Sequence, residues 1–313
     1  MKTVLKLLII ICCIAALLTC AGQPQPVPVQ PAGPYLGPFL TGGTLVFEEN
    51  FDGNSLDETK WNIETGTGNQ YGLNGWGNNE KQYYTPDNIY VIDGVLRVEA
   101  RKDSGRSQFP YTSGKITTGG IKNADGKVKD MKFSVQKGRV EARIKSTKGE
   151  GLWPAFWLLG ANSNKYGGYK AVGWPACGEI DILEIKGGDE NRLISTVHYG
   201  KNINNYNAWG DFIDLKVNMA DDWHVYGVAW DEYFFHFLFD GEIWSSFEMI
   251  YLDKGPSSRL SAFTDETGFI ININLAVGGN FIGGKTPPNS IFESGSPVDN
   301  RSFQVDWVRV YTR

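Results

Sequence analysis

Three acidic residues lie close together in the segment GEIDILEI, residues 178–185. Glu179 and Asp181 are two residues apart, so in an extended strand their side chains point to the same face. Glu184 lies five residues from Glu179, and this odd offset would direct it to the opposite face. A β-bulge near residues 182–183 would absorb one residue and return Glu184 to the face of the other two. With a bulge, the motif is suited to acid–base and nucleophilic chemistry; without one, it is a polar strand.

The acidic motif is flanked by further distinctive segments. They are GRVEARIKSTKGEGLWPAFWLLG (138–160), GWPACGEIDILE (173–184), STVHYG (195–200), NLAVGGN (274–280) and VDWVRVYTR (305–313). Together they resemble the laminarinase-type branch of the β-glucanase family (glycoside hydrolase family sixteen), which also contains lichenases, agarases, carrageenases and xyloglucan transglycosylases. The resemblance extends from about Leu45 to Arg313.

The elements that must position these acids are predicted to be β-strands. Apolar and polar residues alternate over 139–144, 223–228 and 304–310, and helical periodicity is nearly absent. Asp-Gly pairs at 93–94 and 240–241 fall between β-rich runs and predict tight hairpins. The sequence therefore predicts an all-β fold, one two-sheet sandwich over residues 44–313. The resemblance implies a β-jelly roll whose concave sheet forms an open substrate cleft.

The resemblance implies a role for each acid. Glu179 would be the nucleophile, Glu184 the general acid/base, and Asp181 a helper beside Glu179. Two carboxyl groups about 5–5.5 Å apart allow hydrolysis with retention of the anomeric configuration. Three neighbouring acids cannot all ionise at low cost, so one keeps its proton to higher pH, which suits Glu184 as the acid.

The resemblance also implies contacts with the sugar chain. The expected substrate-binding residues are Trp153, Trp174, Asn79, Glu80, Lys115 and His198. The family more often has Arg at the position of Lys115, which weakens any expectation of bidentate hydrogen bonding there. Trp157 would share a strand face with Trp153, and cleft and core positions remain open for it. The same two positions remain open for His198, because a lone histidine is often a core residue.

Many members of this family hold a structural calcium ion on the convex face. The matching positions are Asn50, Gly94 and Asp306, which offer the oxygen ligands that Ca²⁺ prefers. The family commonly has Glu where this chain has Asn50, so calcium binding and its absence both remain open. No cofactor is expected for catalysis.

The first residues predict export. Lys2 and Lys6 accompany an apolar run, residues 7–18, that is too short to span a membrane. Residues 17–20 resemble a lipoprotein box, which would attach a lipid at Cys20 and tether the protein to a membrane; ordinary cleavage near Ala21 is the alternative. We assign residues 1–21 to an export signal, 22–43 to a proline-rich tether and 44–313 to a catalytic domain. The expected location is secreted or lipid-anchored at the cell surface.

Composition narrows the choice of partners. The net charge is −5 and basic runs are absent from the sequence, which argues against nucleic acid or an anionic membrane surface as a partner. Cys177 is the one cysteine beyond the signal region, so no internal disulfide is predicted. We expect a monomer that binds a polysaccharide.

The sequence thus predicts a retaining endo-β-1,3-glucanase, or laminarinase, that works by double displacement. A second interpretation keeps this mechanism and changes the polymer to mixed-linkage glucan or a galactan such as agarose. A third is a non-catalytic β-glucan-binding protein, which is disfavoured because Glu179, Asp181 and Glu184 are all present.

Overall fold

The computed structural model describes residues 42–106, 108–163, 172–249 and 261–313. The predicted export signal, 1–21, lies outside these described residues, as does the predicted tether, 22–43, except for its last two positions. Across the described ranges, no helix is long and apolar enough to cross a membrane.

Strands account for most of the regular structure in the described residues. They are β1 (Thr44–Glu49), β2 (Asn62–Ile63), β3 (Gln82–Tyr84), β4 (Ile89–Ile92), β5 (Val95–Glu99), β6 (Arg101–Lys102), β7 (Tyr111–Ser113), β8 (Lys115–Thr117), β9 (Ile121–Lys122), β10 (Val128–Lys129), β11 (Gly138–Lys145), β12 (Leu152–Gly160), β13 (Glu179–Glu184), β14 (Arg192–Gly200), β15 (Tyr206–Asp214), β16 (His224–Trp230), β17 (Phe234–Phe239), β18 (Glu242–Glu248), β19 (Phe269–Val277) and β20 (Ser302–Thr312). The helical pieces are α1 (Ser261–Thr264) and the 3₁₀ turns Asn69–Tyr71, Asn74–Gly77, Pro86–Asn88, Ile203–Asn205, Asn289–Phe292 and Val298–Arg301.

Most of these strands form two antiparallel sheets. The 7-stranded sheet has the order β15-β14-β13-β12-β19-β8-β2. The 8-stranded sheet has the order β18-β17-β16-β11-β20-β5-β4, and β1 also pairs with β20. This arrangement confirms the predicted all-β, two-sheet β-jelly roll.

A large hydrophobic core lies between the two sheets. Phe156 and Ile180 from the 7-stranded sheet and Val140, Tyr226 and Val308 from the 8-stranded sheet are fully buried in one cluster. Burying each such side chain stabilises the fold by roughly 1.5–3 kcal/mol. Because alternate residues of a strand point to opposite faces, the other face of the 7-stranded sheet is available to form a cleft.

The two predicted Asp-Gly hairpins are confirmed. Asp93 and Gly94 join β4 to β5, and Asp240 and Gly241 join β17 to β18. All four residues have positive φ values of 50–83°, as a two-residue type I′ turn requires.

The three predicted calcium ligands lie near the same stretch of β20. β5 pairs with this strand up to Val305 and β1 pairs with it from Val308, so Asp306 lies between the two pairings. Asn50 follows β1, and Gly94 precedes β5. In this arrangement Asp306 accepts a hydrogen bond from the Arg143 guanidinium at 2.6 Å, and Asn50 accepts a longer one from Arg309 at 3.4 Å. These oxygens therefore have guanidinium partners, and calcium binding stays a prediction.

Candidate active site

The predicted β-bulge is present in β13. Toward β12, Asp181 pairs with Trp157 and Leu183 pairs with Phe156, so Ile182 is the extra residue. Toward β14, a step of three residues from Asp181 to Glu184 matches a step of only two on the partner strand. The bulge returns Glu184 to the face of Glu179 and Asp181, and all three side chains line one cleft of about 930 Å³.

Ser195 satisfies the backbone of the bulge. Its hydroxyl donates to the Ile182 carbonyl oxygen at 2.7 Å, and both groups are buried. The side chains of Ile182 and Leu183 are also buried, as part of the core between the sheets. The bulge is therefore supported by one side-chain hydrogen bond and by the burial of two consecutive apolar residues.

Two glycines allow β12 to approach the start of β13. The Gly160 N–H donates to the Gly178 carbonyl at 3.0 Å. A Cβ atom at Gly160 would lie 1.9 Å from the Cys177 carbonyl oxygen, and Gly178 has a φ of +79°. The Cys177 side chain is itself buried. Side chains larger than hydrogen at the two glycines would displace the chain immediately before Glu179.

Burial raises the pKa values of all three acids. The pKa of Glu179 rises to about 8 through burial and the negative charge of Asp181, against a lowering effect from His198. The pKa of Glu184 also rises to about 8, through burial and then the charge of Asp181. Burial raises the pKa of Asp181 well above its usual range. At neutral pH the cluster therefore keeps at least one proton, which an acid catalyst requires.

His198 lies on the cleft side of the sheet, beside the acids. Its Nε2 is 2.9 Å from Asp181 Oδ2 and 3.9 Å from Glu179 Oε1. Its Nδ1 is 2.7 Å from the hydroxyl of Tyr206. The ligand atoms of the histidine and these two acids lie within 4.8 Å of one another, close enough to hold a divalent cation.

The structure places Trp153, Trp157 and Trp174 at the cleft. The Trp153 indole N–H donates to Glu184 Oε1 at 2.9 Å. Trp157 therefore lies at the cleft, where its indole N–H donates to Oδ1 of Asn274, another lining residue, at 2.7 Å. Trp174 is 39% exposed, and its ring centroid lies 5.1 Å from that of Tyr206.

Lys115, one of the residues predicted to contact sugar, is deeply buried at the cleft. Lys115 lines the cleft but is only 3% exposed. Its ammonium lies 3.0 Å from Glu64 Oε2 and 4.7 Å from the ring centroids of both Trp76 and Trp157. Its charge therefore has a partner within the protein before any sugar binds.

The neighbouring loop brings one predicted residue to the cleft lining and directs another elsewhere. Glu80 is buried in the cleft floor and accepts hydrogen bonds from Gln82 and, at 3.4 Å, from Tyr84. The Asn79 side chain instead donates to Asn280 Oδ1 at 2.9 Å. Asn78 lines the cleft at this point.

Sequence reasoning missed Ser195, Tyr206, Glu64 and Trp76. One available signal could have found Tyr206. The runs 192–200 and 206–214 read as a hairpin, and β14 pairs with β15 in that way, with His198 opposite Ala208. Tyr206 is two residues from Ala208, so it shares the face of His198.

Comparison with known proteins agrees with this geometry. The family model described as glycosyl hydrolases family 16 matches residues 115–254. A glucan endo-1,3-beta-glucosidase A1 from Niallia circulans is 37% identical over 294 residues, which are 88% of this chain but only 38% of that protein. A glucan endo-1,3-beta-glucosidase from Cryptopygus antarcticus is 33% identical over 86% of this chain and 92% of its own length.

A solved structure of a laminarinase is also similar to this chain. The laminarinase from Flavobacterium sp. UMI-01 superposes with a TM-score of 0.67 at 33% sequence identity, covering 86% of this chain and 100% of that structure. The two proteins are therefore similar in both fold and sequence. Given the family match and the relative that is covered almost in full, the chain belongs to glycosyl hydrolases family 16.

Proposed function

We propose that this protein is a retaining endo-β-1,3-glucanase in which Glu179 is the nucleophile and Glu184 the general acid/base. The observation that carries the proposal is the bulge at Ile182, which directs Glu179, Asp181 and Glu184 into one cleft. The named activities of the relatives, glucan endo-1,3-beta-glucosidase and laminarinase, support the choice of substrate.

In the first step, protonated Glu184 gives its proton to the glycosidic oxygen as that bond breaks. The Glu179 carboxylate attacks the anomeric carbon and forms a glycosyl ester. The raised pKa of Glu184 keeps the proton available for this transfer. Asp181, whose charge raises the pKa values of both glutamates, tunes them without exchanging bonds.

In the second step, water replaces the enzyme on the sugar. Esterification removes the charge of Glu179, so one negative neighbour of Glu184 is lost and the pKa of Glu184 falls. Glu184 then accepts a proton from water, which attacks the anomeric carbon and releases Glu179. Two inversions restore the β configuration.

An assay with the purified protein tests this proposal. We expect reducing sugar to appear faster from laminarin than from mixed-linkage glucan, agarose or xyloglucan, with short oligosaccharides formed early, as internal cleavage requires. Proton NMR should detect the β-anomer first, and Glu179→Ala should serve as the inactive control. Faster release from agarose would overturn the substrate, and α-anomers appearing first would overturn the mechanism.

We further propose that the chain is exported and acts as a monomer. The basic start and short apolar run support export, and a lipid at Cys20 would add membrane tethering. The intact mass of the mature protein would distinguish lipidation from cleavage near Ala21, and light scattering would give the oligomeric state.

For calcium at Asn50, Gly94 and Asp306, we propose weak binding at most, because Arg143 and Arg309 already contact two of these residues. Added EDTA should leave the melting temperature nearly unchanged.

A further inference from the structure

Ser195 lies in the row of β14 side chains that faces the core. Along this strand Leu193, Ser195, Val197 and Tyr199 are buried, whereas the residues between them are half-buried and point to the opposite face. The other three members of the row belong to the hydrophobic core. The serine is fully buried among them, so its hydroxyl needs a polar partner in an otherwise apolar setting.

The partner of this hydroxyl is the backbone of the bulge. Between the pairings of Asp181 and Glu184, β13 has two residues and β14 has only Ser195. A bulge leaves one residue out of the hydrogen-bonded ladder. The Ser195 hydroxyl donates to the Ile182 carbonyl oxygen at 2.7 Å, so a side chain supplies a donor where the partner strand has one residue too few. This hydrogen bond holds the backbone at the extra residue.

The bulge determines where the two catalytic glutamates lie relative to each other. Glu179 precedes the bulge, in regular register with β14, and Glu184 follows it. Because successive strand residues alternate faces, losing the bulge would direct Glu184 away from the cleft. The Trp153 indole N–H holds the Glu184 carboxyl group at 2.9 Å from the cleft side. Ser195 acts from the core side, on the backbone that carries this glutamate.

We propose that Ser195 is a positioning residue for the general acid/base. By holding the bulge, it keeps the Glu184 carboxyl group where it can protonate the leaving oxygen while Glu179 attacks. The proposal rests on the glucanase function proposed above. Without the hydroxyl, the buried Ile182 carbonyl loses a donor, and the strand that follows it shifts. A catalytic group displaced by about 1 Å can slow a reaction by about 10²-fold.

Two substrates that differ in their need for an acid separate positioning from folding. Laminarin has a sugar leaving group that must be protonated, whereas the leaving group of dinitrophenyl β-laminaribioside departs without a proton. For Ser195→Ala we expect kcat/KM on laminarin to fall about tenfold or more, and kcat/KM on the aryl glycoside to stay within about twofold. The ratio of the two values is measured in one preparation, so it does not depend on the fraction of folded enzyme.

Ser302→Ala is the matched control. Ser302 is fully buried at the start of β20 in the other sheet, and its hydroxyl has no hydrogen-bond partner among the described residues. This variant should keep the wild-type ratio. Ser195→Cys keeps a weak donor, so its ratio should fall between those of the wild type and Ser195→Ala, and it replaces the alanine variant if that variant does not fold.

The ratio also identifies which proposal fails. An unchanged ratio in the Ser195 variants, whether or not both rates fall, would overturn the positioning role, because a purely structural defect lowers both rates equally. A wild type that cuts neither substrate would instead refute the proposed glucanase function, and the positioning role with it.

Discussion

The two sides of the cleft are built on different principles. On the side of β19 and β8 lies a polar arm, in which Trp76, Glu80 and Lys115 line the cleft and Glu64 is the ion-pair partner of Lys115. On the side of β14 and β15 lies an aromatic arm, in which Trp174 lines the cleft and its ring contacts those of His198 and Tyr206. Lys115 is 3% exposed, whereas Tyr206 is 40% exposed.

This difference in exposure suggests that one arm determines which sugar is bound and the other how tightly the sugar chain is bound. The polar arm has lost its water during folding, so its charges and hydrogen bonds are fixed before a sugar arrives. The aromatic arm keeps exposed ring surface that a pyranose can cover on binding. We therefore expect the polar arm to select the pattern of hydroxyl groups and to support the fold, and the aromatic arm to supply affinity for the chain.

The largest effect is expected between the two arms, at the acids themselves. Glu179→Ala lacks the atom that forms the glycosyl ester, so turnover should fall by about 10⁴-fold or more on every substrate. Glu184→Ala should still react with an aryl glycoside that has a good leaving group, because the first step then hardly needs a proton.

Azide distinguishes the two glutamates. It should rescue Glu184→Ala and give the β-glycosyl azide, whereas with Glu179→Ala it should enter the vacated space and give the α-azide. Asp181→Asn should be less impaired than either alanine variant. Azide products of the reverse configuration would show that the two roles have been exchanged.

The next largest effect tests the polar arm. Lys115→Met keeps most of the side-chain volume but leaves the fully buried Glu64 carboxylate without its cation, so the free energy of unfolding should fall by about 3–5 kcal/mol. Lys115 also lowers the pKa of Glu179. Its loss should raise that pKa, so the nucleophile ionises at higher pH and the acid limb of the kcat/KM profile moves upward.

Lys285→Met is the control for this measurement. Lys285 forms an exposed ion pair with Glu150, with more than half of each side chain accessible, and such pairs contribute about 0–1 kcal/mol. Urea unfolding should therefore separate the two variants clearly. Equal losses of stability would mean that the polar arm is not the preorganised region described above.

A smaller effect is expected in the aromatic arm. Trp174→Ala should raise KM for laminarin about tenfold, the loss of one aromatic contact surface, with little change in kcat. Because Trp174 is 39% exposed, the unfolding free energy should change by no more than about 0.5 kcal/mol. A large loss of stability, or a fall in kcat alone, would contradict the division between the two arms.

The smallest effect concerns Trp153, next to the acid. Its N–H donates to Glu184 and lowers the pKa of that carboxyl group. Trp153→Phe keeps a ring that can stack on Phe281 but removes the donor. The pKa of Glu184 should then rise, so the acid keeps its proton to higher pH and the alkaline limb of the kcat/KM profile moves upward. A downward shift would show that the hydrogen bond favours the protonated acid.

Several features could be predicted from the sequence because their causes are local. The odd spacing of Glu179 and Glu184 admits a shared face only if the strand contains a bulge, and the bulge occurs at Ile182. The Asp93-Gly94 pair has the backbone freedom that a type I′ turn needs, and the hairpin forms there. Alternation of apolar and polar residues predicted the strands, because it too depends only on residues close together in the sequence.

Other features were decided only by the tertiary structure. They are contacts between residues far apart in the sequence, and the sequence around one such residue does not indicate which distant residue will contact it. Lys115 was predicted to contact sugar and does line the cleft, but the sequence did not indicate that folding would bring Glu64 to its ammonium and enclose both side chains. Asn79 was expected in the cleft, yet its amide reaches Asn280 instead. A polar side chain pairs with whichever groups lie near it after strands far apart in the sequence have come together. Once the side chain is buried, leaving it without a hydrogen-bond or charge partner would cost free energy of folding.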